Sequence, residues 1–201
     1  MAIKLHVISQ YDTGVVLAAC TRGEGGTPAD ILSQLIGDAF PLTAPAVTQP
    51  DVPASIGSID VSSLAVDVVP IEPSSTEAQD VLQNPTTYGV VRDLQHNFQK
   101  LQSVGSLNNL KLTTGGVTFT VVTNLPVGPP INAWIQLFDP NTNKTTTLPG
   151  LTFQPDMTDR TSGNIGFTVA AGTYNAIVLV QGYAASLQIS VAVAEDTVTV
   201  P

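Results

Sequence analysis

The sequence predicts a mainly β chain: an antiparallel Greek-key β-sandwich at the C-terminus, preceded by an α+β part with two short helices and a Pro-rich extended arm. Three observations carry this prediction. Seven or eight short β-type segments follow one another after residue 109, separated by turn-forming Gly and Pro at the spacing of a sandwich. Charged residues make up 11% of the 201 positions while 43% are hydrophobic, against roughly 25% charged in an ordinary soluble domain. The long uncharged runs that result alternate as strands do. Helix signals, by contrast, are confined to the first 108 residues.

Taken in order, residues 3–9 and 15–20 read as paired strands around a turn at 10–14. Residues 28–36 read as a helix, with Thr27 as its N-cap and Pro28 at the first helical position. Pro41, Pro45, Pro50 and Pro53 stand among small residues, so 41–57 is expected to be an extended, irregular arm. Residues 59–69 add a strand that Pro70 and Pro73 end. Across 89–103, Val91, Leu94, Phe98 and Leu101 recur at three- and four-residue intervals, which predicts a second helix with one apolar face. That face has two uses: covering a sheet within the subunit, or meeting copies of itself around an axis. Asn108 and Asn109 mark the passage into the sandwich, so the expected division is 1–108 and 109–201. Strands then follow at 110–114, 117–123, 131–138, 145–148, 164–169, 173–181, 186–194 and 197–200. In the third of these, Ile131, Ala133, Ile135 and Leu137 share one face, and Asn132, Trp134, Gln136 and Phe138 the other.

The net charge is −9, and the surplus is local. Four bases oppose eleven acids up to residue 108, and three oppose five beyond it. Between Arg22 and Arg92 nine acids occur and no Lys or Arg. A polybasic nucleic-acid binder is excluded, because phosphate neutralisation needs clustered cations. Cys20 is the only cysteine, so a disulfide framework within the chain is excluded too. The uncharged runs at 112–138 and 161–194 are broken by Gly, Asn, Thr and Gln, and membrane insertion is not expected. The N-terminal residues develop no apolar stretch of signal-peptide length.

No candidate site matches a full chemical pattern. Asp139, Asn141 and Asn143 imitate the start of a calcium loop, but Lys144 stands where the loop needs Gly, and Gly150 where it needs Glu. Asp156 and Asp159 lie close together beside Arg160 in a loop marked by Pro155. His6 and His96 have no companions at zinc-ligand spacing. Cys20 ends an apolar strand, where a buried, inert thiol is the default, with Arg22 or a folded-back His6 as its only activators. The glycines after Arg22 lack both the P-loop ending and the dinucleotide-binding spacing. Neither catalytic residues nor metal or cofactor ligands are therefore predicted.

The C-terminal pattern resembles the prealbumin-like and Ig-like sandwiches, which include collagen-adhesin B-type repeats and carboxypeptidase regulatory-like domains. Residues 130–139, 166–178 and 181–183 carry the likeness, with Gly172, Tyr174, Gly182 and Tyr183 in the family's Gly-x-Tyr and Gly-Tyr places. The adhesin repeats' internal Lys–Asn cross-link is not implied, since this half offers only Lys111 and Lys144 as lysines, and Lys144 lies in a turn. No whole-chain family match is visible, but the combination of no export signal, a mixed N-terminal region, an extended arm and a terminal sandwich resembles bacteriophage virion structural proteins, decoration (cement) or head-fibre-like. That resemblance implies a non-enzymatic protein made in the host cytoplasm and carried on the virion. It implies docking through the N-terminal half and arm, with the sandwich projecting. Its partners would be copies of itself, such as a trimer, and a capsid or other virion protein. Val91, Leu94, Phe98 and Leu101, with Pro45, Pro50 and Pro53, are the expected interaction residues. The alternative is a tail- or fibre-associated adhesin that binds carbohydrate.

Overall fold

The computed structural model describes residues 3–23, 25–45, 53–106, 111–115, 118–122, 132–138, 151–153, 162–166 and 172–193. It is mainly β, with several antiparallel sheets. The first sheet has the order β2-β1-β5, from β1 (Ile3–Gln10), β2 (Val16–Gly23) and β5 (Leu64–Val69). Its first hairpin closes as the sequence predicts. The Gly14 amide donates to the Gln10 carbonyl at 2.9 Å, and the Gln10 side-chain oxygen accepts from the amide and hydroxyl of Thr13 at 2.7 and 2.8 Å. Gly14 is obligatory here: its φ is 69°, and a Cβ would collide with the Val90 carbonyl.

α1 (Pro28–Ile36) also forms where predicted. Thr27 and Asp30 make a capping box that satisfies two end amides locally, and Ile31 and Leu32 are its buried residues. The strand expected across 59–69 is interrupted. β4 (Pro53–Asp60) ends at Asp60, whose carboxylate accepts from the Ser62 amide at 2.8 Å and starts a 3-10 turn before β5. β4 pairs with β3 (Ala39–Pro45), from Ala39↔Asp60 to Pro45↔Pro53. The arm is thus extended and strand-paired at 41–45 and 53–57, with a register shift between Leu42 and Thr43, while 46–52, including Pro50, lie outside the described residues. Two strands that, among the described residues, pair only with each other leave outward-facing backbone positions, where proline's missing N–H costs no ladder bond.

The predicted helix over 89–103 is a β-hairpin instead. β6 (Tyr88–Arg92) pairs with β7 (Phe98–Ser103), bringing Val90 opposite Leu101 and Arg92 opposite Phe98. The apolar spacing suits both structures, and the turn chemistry decides. The Asp93 carboxylate accepts from the amides of Gln95 and Asn97, both at 2.9 Å, which offers the backbone an alternative to helical bonding. The second helix lies earlier, as α2 (Thr76–Gln83), capped by the Ser75 hydroxyl accepting from the Ala78 amide at 3.1 Å.

Beyond residue 108, β8 (Lys111–Gly115), β9 (Thr118–Val122) and β12 (Ser162–Gly166) form a three-stranded sheet in the order β12-β9-β8. β10 (Ala133–Phe138), β11 (Leu151–Phe153), β13 (Gly172–Val180) and β14 (Ser186–Val193) form a four-stranded one in the order β11-β10-β13-β14. β11 has no counterpart among the expected strands, and the segments 145–148 and 197–200 lie outside the described residues. Every residue of β10 is buried, so both faces of this strand are covered.

The cover on one face of β10 comes from the first sheet. Trp134, Phe138, Ile177 and Leu179 join Ile8, Leu17, Ile31, Leu32, Ile59, Leu64 and Val66 in one apolar cluster that spans residue 108. Gly57 makes the approach possible, since a Cβ there would strike the Phe138 ring. The opposite face of β1 carries Leu5 and Val7, which meet Val69, Ala78, Val81 and Val90 in a second cluster. Each fully buried side chain of this kind contributes about 1.5–3 kcal/mol. Among the described residues, no helix is long and apolar enough to cross a membrane.

Candidate functional site

Among the described residues β5 is an edge strand, and a groove of about 610 Å³ runs beside it. Leu64, Val66 and, from α1, Leu32 supply apolar lining, and Phe98 from β7 stands across from them. Asp38, exposed after α1, and Arg92, whose side chain is nearly buried, are charged residues of its wall.

Arg92 is held from three directions. Its guanidinium donates to the Tyr11 carbonyl at 3.1 Å and to the Ser9 hydroxyl at 2.7 Å, and pairs with the Asp67 carboxylate. The two side chains are only 7% and 11% exposed, so removing either partner would strand a nearly buried charge. This pair ties β6 to the face of β5 and β1. Its charges are spent on each other.

At the groove's end, the loop 93–97 is pinned by Asp93. Besides the amides of Gln95 and Asn97, the carboxylate accepts from the side chains of Asn97 and Gln99, at 3.2 and 3.0 Å. These hydrogen bonds, led by the Asn97 amide, hold the Asp93 carboxyl below its ordinary range. His96 occupies the left-handed region at φ 62°, and its ring stacks on Tyr11 with centroids 4.8 Å apart. A second pocket of about 290 Å³, lined by Asp12, Leu94 and Gln181, lies on the other side of that stack, which borders both cavities. Leu94 stands out of the loop at 95% exposure.

The interaction residues predicted from sequence do not share one face. Leu94 is presented by the loop, Phe98 lines the groove while packing on the second cluster, and Leu101 is half-buried against that cluster. Val91 is half-buried opposite Lys100. Pro45 and Pro53 form the last pair of β3 and β4. The groove had one sequence signal, the run of acids and no bases between Arg22 and Arg92. Its edge strand had none.

Other candidates resolve locally. His6 and Cys20 are register partners across β1 and β2, and His6 is buried with Nδ1 3.2 Å from the Lys4 carbonyl. Burial pushes the Cys20 thiol up, against a smaller pull downward from Arg22, so it stays protonated near neutrality. The glycine loop leads into α1, where the Asp30 carboxylate accepts from the Thr27 amide at 3.0 Å; an anion already occupies that helix start. The Asp139 and Asp156 segments lie outside the described residues, among which no three His, Cys, Asp or Glu gather to hold a metal ion. Comparison with known proteins finds no matching family model, curated protein or solved structure.

Proposed function

We propose that the chain is a non-enzymatic structural protein of a bacteriophage particle, a capsid decoration (cement) or head-fibre-like protein. It docks through its N-terminal half and projects a prealbumin-like Greek-key sandwich built from the two C-terminal sheets. Its partners are copies of itself and a capsid or other virion protein, and its place is the virion.

The observation that carries this reading is Leu94. A fully exposed leucine costs solubility and contributes nothing to its own core, yet it sits on a loop held by five hydrogen bonds to one carboxylate. Such a rigid apolar tip suits insertion into a partner, because little conformational entropy is lost on contact. Symmetry on a particle repeats each modest contact many times. The acidic N-terminal half supports the same reading by separating the docking part from a nearly neutral sandwich.

Mass spectrometry and electron microscopy of purified particles test it. The chain is expected on the particle surface, and Leu94→Ser is expected to reduce its occupancy about tenfold, as loss of a well-buried leucine contact does. Its own stability should stay within about 0.5 kcal/mol, as for exposed sites. A strictly monomeric protein never found on particles would sink the proposal.

A further inference from the structure

We propose that the free edge of β5 captures an extended, basic segment of a partner protein by strand addition. The idea rests on the docking role assigned to the N-terminal half, and names the chemistry of what that half binds.

Backbone geometry supplies the first argument. β5 pairs with β1 alone among the described residues. The Tyr11 amide donates to the Ser63 carbonyl at 2.9 Å, one step beyond the Gln10↔Leu64 pair. Antiparallel pairs alternate, so Ala65, Asp67 and Val69 turn their amides and carbonyls toward β1. Leu64, Val66 and Val68 turn theirs outward. The Leu64 amide is used by the Val61 carbonyl, which leaves the amides and carbonyls of Val66 and Val68 as a template for a further strand.

The groove supplies the second. Leu64, Ala65, Val66 and Asp67 line it consecutively, with α1 on one side and Phe98 on the other. A partner strand bonded to this edge would set alternate side chains against these two apolar walls. Recognition of this kind takes affinity from the main chain and selectivity from the flanking pockets.

Charge identifies the occupant. Arg92 is neutralised by Asp67, and Asp38 remains exposed at the rim. Nine acids and no bases lie between Arg22 and Arg92, so the surrounding field favours cations. A second copy of this chain cannot supply them in one short strand, because its closest bases, Arg92 and Lys100, stand eight positions apart. The occupant is another protein.

Fluorescence anisotropy with the full chain tests this, using a labelled Lys-Val-Thr-Val-Lys-Val peptide. A version with Glu for both Lys, and one N-methylated on alternate amides, serve as controls. The basic peptide should bind saturably, with the acidic one about tenfold weaker or worse. The methylated peptide should lose binding, and the bound basic peptide should slow hydrogen exchange at the Val66 and Val68 amides. Asp38→Lys, at an exposed site, should weaken the basic peptide about tenfold at low salt. Val68→Pro removes an outward amide without touching the β1 ladder, and should abolish binding while circular dichroism is unchanged. Equal binding of all three peptides, or no binding by the folded chain, would overturn the proposal. Absence from particles with peptide binding intact would count only against the virion reading.

Discussion

The two faces of β1 are buried by different means. On one, Leu5 and Val7 meet α2 and the β6–β7 hairpin, and every member of the cluster lies between residues 5 and 101. On the other, Ile8 meets Trp134, Phe138, Ile177 and Leu179, from more than a hundred positions away. The first core closes short loops, whereas the second waits for the chain's far half, and the entropy of closing that longer loop is lost before its contacts form. One strand therefore serves a local assembly and a long-range one.

The largest test of this contrast is Phe138→Ala. It should cost about 3–5 kcal/mol, the usual cost of emptying a buried aromatic site. Trp134, the only tryptophan, sits in the same cluster, so its fluorescence and the far-ultraviolet dichroism should report one lowered urea midpoint. A tryptophan transition that separates from the dichroism would show that the long-range core is not shared. Val81→Ala, in the local core, should cost less, about 2 kcal/mol for the methyl groups removed. Amide exchange should quicken in α2 and β6 and remain unchanged in β10 and β13. Acceleration spread evenly over both would erase the distinction.

The smallest effect concerns a single bond that fastens the local core. The Tyr88 hydroxyl donates to Asp80, joining β6 to α2. This bond pushes the Tyr88 hydroxyl up to about 12 and holds the Asp80 carboxyl below its ordinary value. A raised tyrosine pKa contributes stability that is complete below about pH 10 and is lost as pH climbs toward 12. The Asp80 contribution runs the other way: present above the ordinary carboxylate value of 3.8, and lost as pH falls through the lower folded one. In a 295 nm titration of the native protein, one of the four tyrosines should ionise near 12, and Asp80→Asn should return it toward 10. Four tyrosines titrating together would remove the bond from the account.

Much of the fold was legible where its cause is local. Thr27, Pro28 and Asp30 specify α1 within four positions, and the alternation in 131–138 and 173–181 anticipates β10 and β13. α2 was legible too, through Ser75 and the Asn84-Pro85 stop, but its largely polar composition concealed it. The spacing of Val91, Leu94, Phe98 and Leu101 fits a helix face and a hairpin alike. There the decisive signal was the hydrogen-bonding capacity of Asp93, which apolar periodicity does not register.

The candidate site was legible only in its charge. The sequence by itself determined the β-rich character, the caps and turns, and an acidic N-terminal half without bases between Arg22 and Arg92, because composition and short-range hydrogen bonding need no folded partner. Tertiary structure alone decided that β5 is an edge, that Arg92 spends its charge on Asp67, and that Leu94 faces solvent. Whether a strand is an edge depends on which other strands pair, and whether an arginine is free depends on what folds beside it. Both are properties of contacts between distant segments.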